Sequence, residues 1–159
     1  IVKINDYIKM IDLKTGHMIG LAAELGAISS GADELICKSV RNYGRLVGRA
    51  FQIQDDYLEI FADESTMGKS LGSDISSGKQ TILSILARGK DSLSWEGFIN
   101  ENNEISAYKE YFGEHGIKME TEKLIKDYIA KSQNNLEAIS KDKRDNLIGY
   151  TQLILNREF

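Results

Sequence analysis

Apolar positions recur at helical spacing along most of the chain. Tyr7, Ile8, Ile11, Met18, Leu21, Leu25 and Ile28 fall near one side of a helix drawn over residues 5–29. Ser29, Ser30 and Gly31 break that pattern. From Ala32 to about Phe61, the positions Ile36, Val40, Tyr43, Val47, Ala50, Gln54, Leu58 and Phe61 step by three or four, and all but Gln54 are apolar or aromatic. This predicts a second, longer helix. Residues 63–79, with Gly68, Gly72, Gly78 and several serines, read as a loop. Gln80 to Ala87 starts another helix, and residues 89–104 read as loop-rich around an apolar patch at Leu93, Trp95 and Phe98. Three more helices are predicted, at about 105–113, 119–139 and 141–157, with Gly113 and Gly116 marking the end of the first. No segment predicts a strand, and the chain contains no Pro. The expectation is an all-α fold whose short connections make an antiparallel helical bundle.

Composition narrows the class. A chain of 159 residues fits one domain, and 42% hydrophobic with 28% charged residues excludes wholesale disorder. The net charge of −4 points to neither a polyanion binder nor an acidic tail, so no nucleic-acid partner is expected. The single cysteine, Cys37, has no partner for an internal disulfide, which favours a reducing compartment and hence the cytoplasm. The most apolar run, Met18 to Ile28, is short and contains Glu24, so no membrane span is expected. The sequence opens on Ile1 rather than Met, and is expected to start part-way through a longer chain or after processing.

Candidate chemistry concentrates at Phe51-Gln52-Ile53-Gln54-Asp55-Asp56-Tyr57-Leu58-Glu59. Gly48, Gln52, Asp55 and Glu59 share one helical face, and Asp56 is rotated about 100° to its edge. Like charges one turn apart repel, and a divalent cation would offset that repulsion. Carboxylates with water suit Mg²⁺, which completes its shell with substrate phosphates. The ordinary alternative is a solvated acidic face. Against it stand Phe51, Ile53, Tyr57, Leu58, Ile60 and Phe61, which surround the acids with apolar neighbours.

Two tempting motifs fail in the following stretch. Gly68-Lys69-Ser70 resembles the end of a P-loop, but the required first glycine is Asp63. Asp63, Gly68 and Asp74 outline a calcium loop, but Ser65 and Met67 stand where further ligands are needed. Lys69 and Lys79 remain, close in sequence to the acids, and suggest an anionic group such as a phosphate. Upstream, Lys14-Thr15-Gly16-His17 interrupts the apolar pattern, since Thr and Gly are poor helix formers. His17 and His115 have no partner that would make a metal site or a catalytic triad.

Together these pieces resemble the trans-type polyprenyl (isoprenyl) diphosphate synthases, the family of farnesyl and geranylgeranyl diphosphate synthases. The matching pieces are Lys14-Thr15 with Gly16 and Gly20; Gly48 through Glu59; Gly68-Lys69; Gly72-Ser73-Asp74-Ile75; and Gly78-Lys79-Gln80-Thr81. Their order and spacing match over residues 7 to about 86, and the tail Arg157-Glu158-Phe159 is also similar. The resemblance covers only the C-terminal part of such a domain, with residues 1–90 as active-site helices and loop and 91–159 as C-terminal helices. The family's first DDxxD motif and its upstream Lys, Arg and His anchors have no counterpart. The third acid is Glu59 where the family has Asp.

The resemblance implies a class I isoprenoid-synthase-like bundle and a Mg²⁺-dependent prenyltransferase. Its substrates would be an allylic diphosphate and isopentenyl diphosphate. Asp55 resembles the principal metal ligand, with Asp56 and Glu59 assisting directly or through water. Lys14, Lys69 and, more peripherally, Lys79 resemble the lysines that grip the allylic diphosphate. Thr15 and Gln52 resemble the residues whose dipoles face the allylic carbon. Lys14, Gln52, Asp55 and Lys69 are expected to converge on one cleft. The family is usually homodimeric, near the Lys-Thr helix. Lacking the first motif, this segment alone is expected to be inactive. The alternatives are a non-catalytic helical subunit of the same fold and a class I terpene cyclase.

Overall fold

The computed structural model describes residues 2–62, 74 and 77–155. In chain order the helices are α1 (Ile4–Ile11), a π-helical turn (Asp12–Gly16), α2 (His17–Ser29), α3 (Glu34–Phe61), α4 (Ile82–Lys90), α5 (Ser92–Glu101), α6 (Ile105–Glu114), α7 (Ile117–Asn134) and α8 (Lys141–Leu155). No strand occurs among the described residues, as the spacing predicts. No helix among them is long and apolar enough to cross a membrane.

The chain forms two compact units. The described residues of one lie within Ile1–Tyr7 and Ile53–Lys123, those of the other within Ile8–Gln52 and Leu124–Arg157. In the second unit, Tyr43 and Val47 on α3 pack with Leu136, Ile139, Leu147 and Ile148. The Tyr43 hydroxyl donates to the Leu147 carbonyl at 2.7 Å, so this apolar contact also has a fixed register. In the first unit, Trp95 on α5 is surrounded by Phe98, Tyr108, Tyr111 and Phe112, with ring centroids 5.6–6.0 Å away. Its Nε1 is buried without a hydrogen-bond partner among the described residues. Surrounding π-faces are weak acceptors for such a donor.

Three differences from the predicted elements have physical causes. The first helix is not continuous: the π-turn inserts one extra residue at 12–16. Tyr7 and Ile11 are buried before it, Asp12 and Gly16 at its two ends, and Gly20 after it. The buried stripe therefore steps by five across the turn, not four. An extra residue rotates everything downstream by about 100°. Met18, Leu21, Leu25 and Ile28, predicted on the stripe of Tyr7 and Ile11, consequently emerge 65%, 46%, 53% and 55% exposed.

Second, residues 89–104 are largely helix, not loop. Asp91 caps α5 by accepting the Ser94 N–H at 3.0 Å, and the aromatic cluster around Trp95 outweighs the weak propensity of Ser and Gly97. Third, the helix predicted to reach 139 stops at Asn134, and Leu136 is fully buried in the turns that follow.

Candidate active site

The first unit holds the carboxylates. Helix α3 begins with Asp33 accepting the Ile36 N–H at 2.9 Å and ends at Phe61, so its last two turns carry Asp55, Asp56 and Glu59. Asp55 and Glu59 are half-buried, one turn apart. Asp56 points inward and is 3% exposed. Its Oδ2 accepts the Tyr7 hydroxyl at 2.7 Å and the Ile82 N–H at 3.1 Å. Ile82 is the first residue of α4, whose N-terminus favours a negative charge. The other oxygen, Oδ1, lies 3.8 Å from Lys79 Nζ.

Burial pushes the Asp56 carboxyl above its ordinary range, and the bonds from Tyr7 and Ile82 and the charge of Lys79 pull it back only in part. Burial and the Asp56 carboxylate push the Tyr7 phenol far up, so the proton stays on Tyr7 as a donor. Lys79 pairs with Asp74 Oδ2 at 2.5 Å. Burial lowers the Lys79 pKa, but Asp74, Asp56 and Glu59 overcome this and raise it. The Asp74 N–H approaches Glu59 Oε1 at 3.4 Å. A cavity of about 260 Å³ opens beside this group, and its lining includes Asp56, Glu59, Asp74 and Lys79 together with the apolar Trp95, Ile99 and Phe112.

The second unit holds the Lys-Thr turn. Thr15 Oγ1 donates to Gln52 Oε1 at 3.1 Å, which brings together two residues singled out 37 positions apart. Lys14 is exposed, with no hydrogen bond or ion pair among the described residues. The backbone crossing beneath them is close. A Cβ added at Gly48 would lie 2.7 Å from the Gly16 Cα, so only glycine fits at this crossing. The pattern repeats one turn along, where a Cβ at Gly44 would lie 2.9 Å from the Gly20 Cα. Asp12, the first residue of the π-turn, is 6% exposed and pairs with both Arg45 and Arg49 of α3.

Lys69 lies outside the described residues, so its expected place beside Lys14, Gln52 and Asp55 does too. Five residues of these two clusters are not marked as site residues by the sequence pattern. Tyr7 reads as one of the apolar stripe and Asp74 only as part of a motif. Asp12 and Arg45 fall in no motif, and Arg49 only within the Gly48–Glu59 stretch. The arginines did leave a signal: they are four apart, flanking the same glycines that make the crossing.

Comparisons with known proteins identify the family. A short chain isoprenyl diphosphate synthase of Methanothermobacter thermautotrophicus is 31% identical over 160 residues, taking in 96% of this chain and 49% of that protein. The crystal structure of geranylgeranyl pyrophosphate synthetase from Pyrococcus horikoshii superposes with a TM-score of 0.87 at 32% identity, covering 99% of this chain and 50% of that one. Polyprenyl synthase from Caulobacter crescentus, crystallised with calcium and isoprenyl diphosphate, superposes with a TM-score of 0.85 at 28% identity, covering 99% and 51%. The chain thus spans about half the length of the relatives it matches. Residues 1–112 match the family model for polyprenyl synthetase, a stretch that includes the Lys-Thr turn and the acidic end of α3, and the chain belongs to that family.

Proposed function

We propose that this chain is the C-terminal part of a prenyltransferase that joins isopentenyl diphosphate to an allylic diphosphate, giving a longer trans-polyprenyl diphosphate. The observation that carries the reading is the acidic end of α3. Two half-buried carboxylates, Asp55 and Glu59, stand one turn apart. The third, Asp56, is turned inward to tie α3 to Tyr7 and α4.

The donor set suits Mg²⁺. Among the described residues no three of His, Cys, Asp or Glu gather into a group that could hold a metal by themselves. A cation that takes one or two carboxylates and fills its shell with water and phosphate oxygens matches that supply. Asp55 and Glu59 would hold it, with Asp56 assisting from behind. Bound there, Mg²⁺ would stabilise the charge that builds on a leaving diphosphate.

The chain's own residues supply the rest. Lys14, Lys69 and Lys79 bind the allylic diphosphate as point charges. Thr15 and Gln52, which share a hydrogen bond, turn oxygen dipoles toward the allylic carbon. The allylic C–O bond breaks, the double bond of isopentenyl diphosphate attacks the cation, and a proton leaves to the released diphosphate. Apolar side chains keep water from the cation.

A cytoplasmic homodimer completes the proposal. The single cysteine and the apolar side chains that α2 leaves exposed support it. The test is to incubate the full-length gene product with labelled isopentenyl diphosphate, each of dimethylallyl, geranyl and farnesyl diphosphates, and Mg²⁺. A longer labelled diphosphate that disappears with EDTA is expected. No product with any of the three overturns the reading.

A further inference from the structure

Asp12 has both its side chain and its main chain committed. Its Oδ1 accepts from Arg49 Nε at 2.9 Å and Arg45 Nε at 3.3 Å, and Oδ2 pairs with Arg45 Nη2. The Arg49 guanidinium lies over the Tyr128 ring, 5.8 Å from its centroid. The Asp12 carbonyl accepts the His17 N–H, the bond that closes the π-turn. His17 Nδ1 stands 3.2 Å from the same carbonyl. The carboxylate also occupies the space a side chain at position 16 would need, since a Cβ on Gly16 would lie 2.7 Å from Asp12 Oδ1. One residue therefore closes the wide turn through its backbone and ties it to α3 through its side chain.

A π-turn within a helix is rare and tends to mark functional sites. Relaxing this one to α geometry would rotate Lys14 and Thr15 by about 100° relative to α1 and break the Thr15–Gln52 bond. Two guanidiniums resist that rotation better than one ammonium would, because each offers a rigid fork to the carboxylate. We propose that Asp12, clasped by Arg45 and Arg49, is a positioning residue that fixes the π-turn presenting Lys14 and Thr15 to the allylic substrate. This rests on the function proposed above. The clasp touches no substrate and acts through the turn.

The experiment compares the full-length gene product with its Asp12→Asn and Arg45→Ala variants, by steady-state kinetics and by hydrogen exchange. Asp12→Asn keeps the shape of the side chain and removes its charge. It should lower kcat by about 10²-fold, the scale of a small misplacement of reacting groups. The KM for isopentenyl diphosphate should stay within about twofold, because that substrate is not bound by the turn. Exchange should accelerate over residues 12–17 and stay unchanged over α4 to α6. Arg45→Ala leaves Arg49 in place and should give the same pattern in weaker form; it decides the matter if Asp12→Asn does not fold. Unchanged kcat, or exchange that rises uniformly over the chain, overturns the proposal. A parent protein without prenyl transfer sinks the functional reading instead. The exchange pattern then judges the clasp alone: local acceleration upholds the fixed turn, and unchanged exchange overturns it.

Discussion

The Tyr7 hydroxyl donates to Asp56 Oδ2 at 2.7 Å across 49 residues of sequence, with both groups buried. The same oxygen accepts the first N–H of α4. One member of the acidic motif is therefore a structural tie, while Asp55 and Glu59 stay half-buried. Tyr7→Phe tests that tie. It removes one donor and leaves the carboxylate buried, which costs about 1–3 kcal/mol. Chemical denaturation should show this loss, and an unchanged midpoint would mean the bond contributes nothing.

Asp55→Ala should behave in the opposite way. The side chain is half-buried, and its proposed work is on charge that appears in the transition state. Turnover in the full-length protein should fall by about 10²–10³-fold, with a melting temperature close to that of the parent. A variant as active as the parent would remove Asp55 from the metal site.

The glycine crossing makes a third prediction. Gly48→Ala places a methyl 2.7 Å from the Gly16 Cα and 3.2 Å from the Thr15 carbonyl carbon, all backbone that cannot move aside cheaply. Overpacking of this kind costs about 1–3 kcal/mol. Gly97→Ala is the control: nothing lies within 4 Å of its added methyl, and it sits inside α5. Alanine there should stabilise by about 0.5–1 kcal/mol through helix propensity. Thermal melts of the two variants should move in opposite directions.

The Asp12 clasp predicts a pH dependence. Burial alone would raise the Asp12 pKa, but the bonds from Arg45 and Arg49 win and bring it down to about 2 from its ordinary 3.8. A carboxylate depressed in the folded state stabilises fully above its unfolded pKa, and that stability is lost as pH falls through the folded value. The contribution, about 2 kcal/mol, should therefore persist above pH 4 and decline toward pH 2. Denaturation of the parent and of Asp12→Asn across this range should show the gap between them closing as pH falls. A gap that stays constant would show that Asp12 does not titrate with folding.

Much of the architecture could be read from local spacing. Helices α3, α6 and α8 lie within a few residues of their predicted spans, because apolar steps of three and four specify a helix without reference to the rest of the chain. α5 was hidden because its helix depends on what Trp95 packs against, which is a tertiary contact. The hydrogen bond between Thr15 and Gln52 has no counterpart in the local pattern, since no local rule joins residues 37 apart; resemblance to the family only assigns both residues to the same substrate carbon.

By itself the sequence determined the helical class, the acidic turn at Asp55, Asp56 and Glu59, and the location of the Lys-Thr break. Each is encoded within one or two turns, where residue type and period are sufficient. Only the tertiary structure decided which carboxylate faces in, because burial of Asp56 needs Tyr7 and the N-terminus of α4 as partners. It also decided that the break is a π-turn. Sequence marks a weak point in the helix at Thr15 and Gly16, but the form of that weak point depends on Arg45 and Arg49 reaching Asp12 and on Gly48 admitting the backbone of Gly16. The extra residue then turns Met18, Leu21, Leu25 and Ile28 outward, since a helix with one inserted residue carries a different face from that point on.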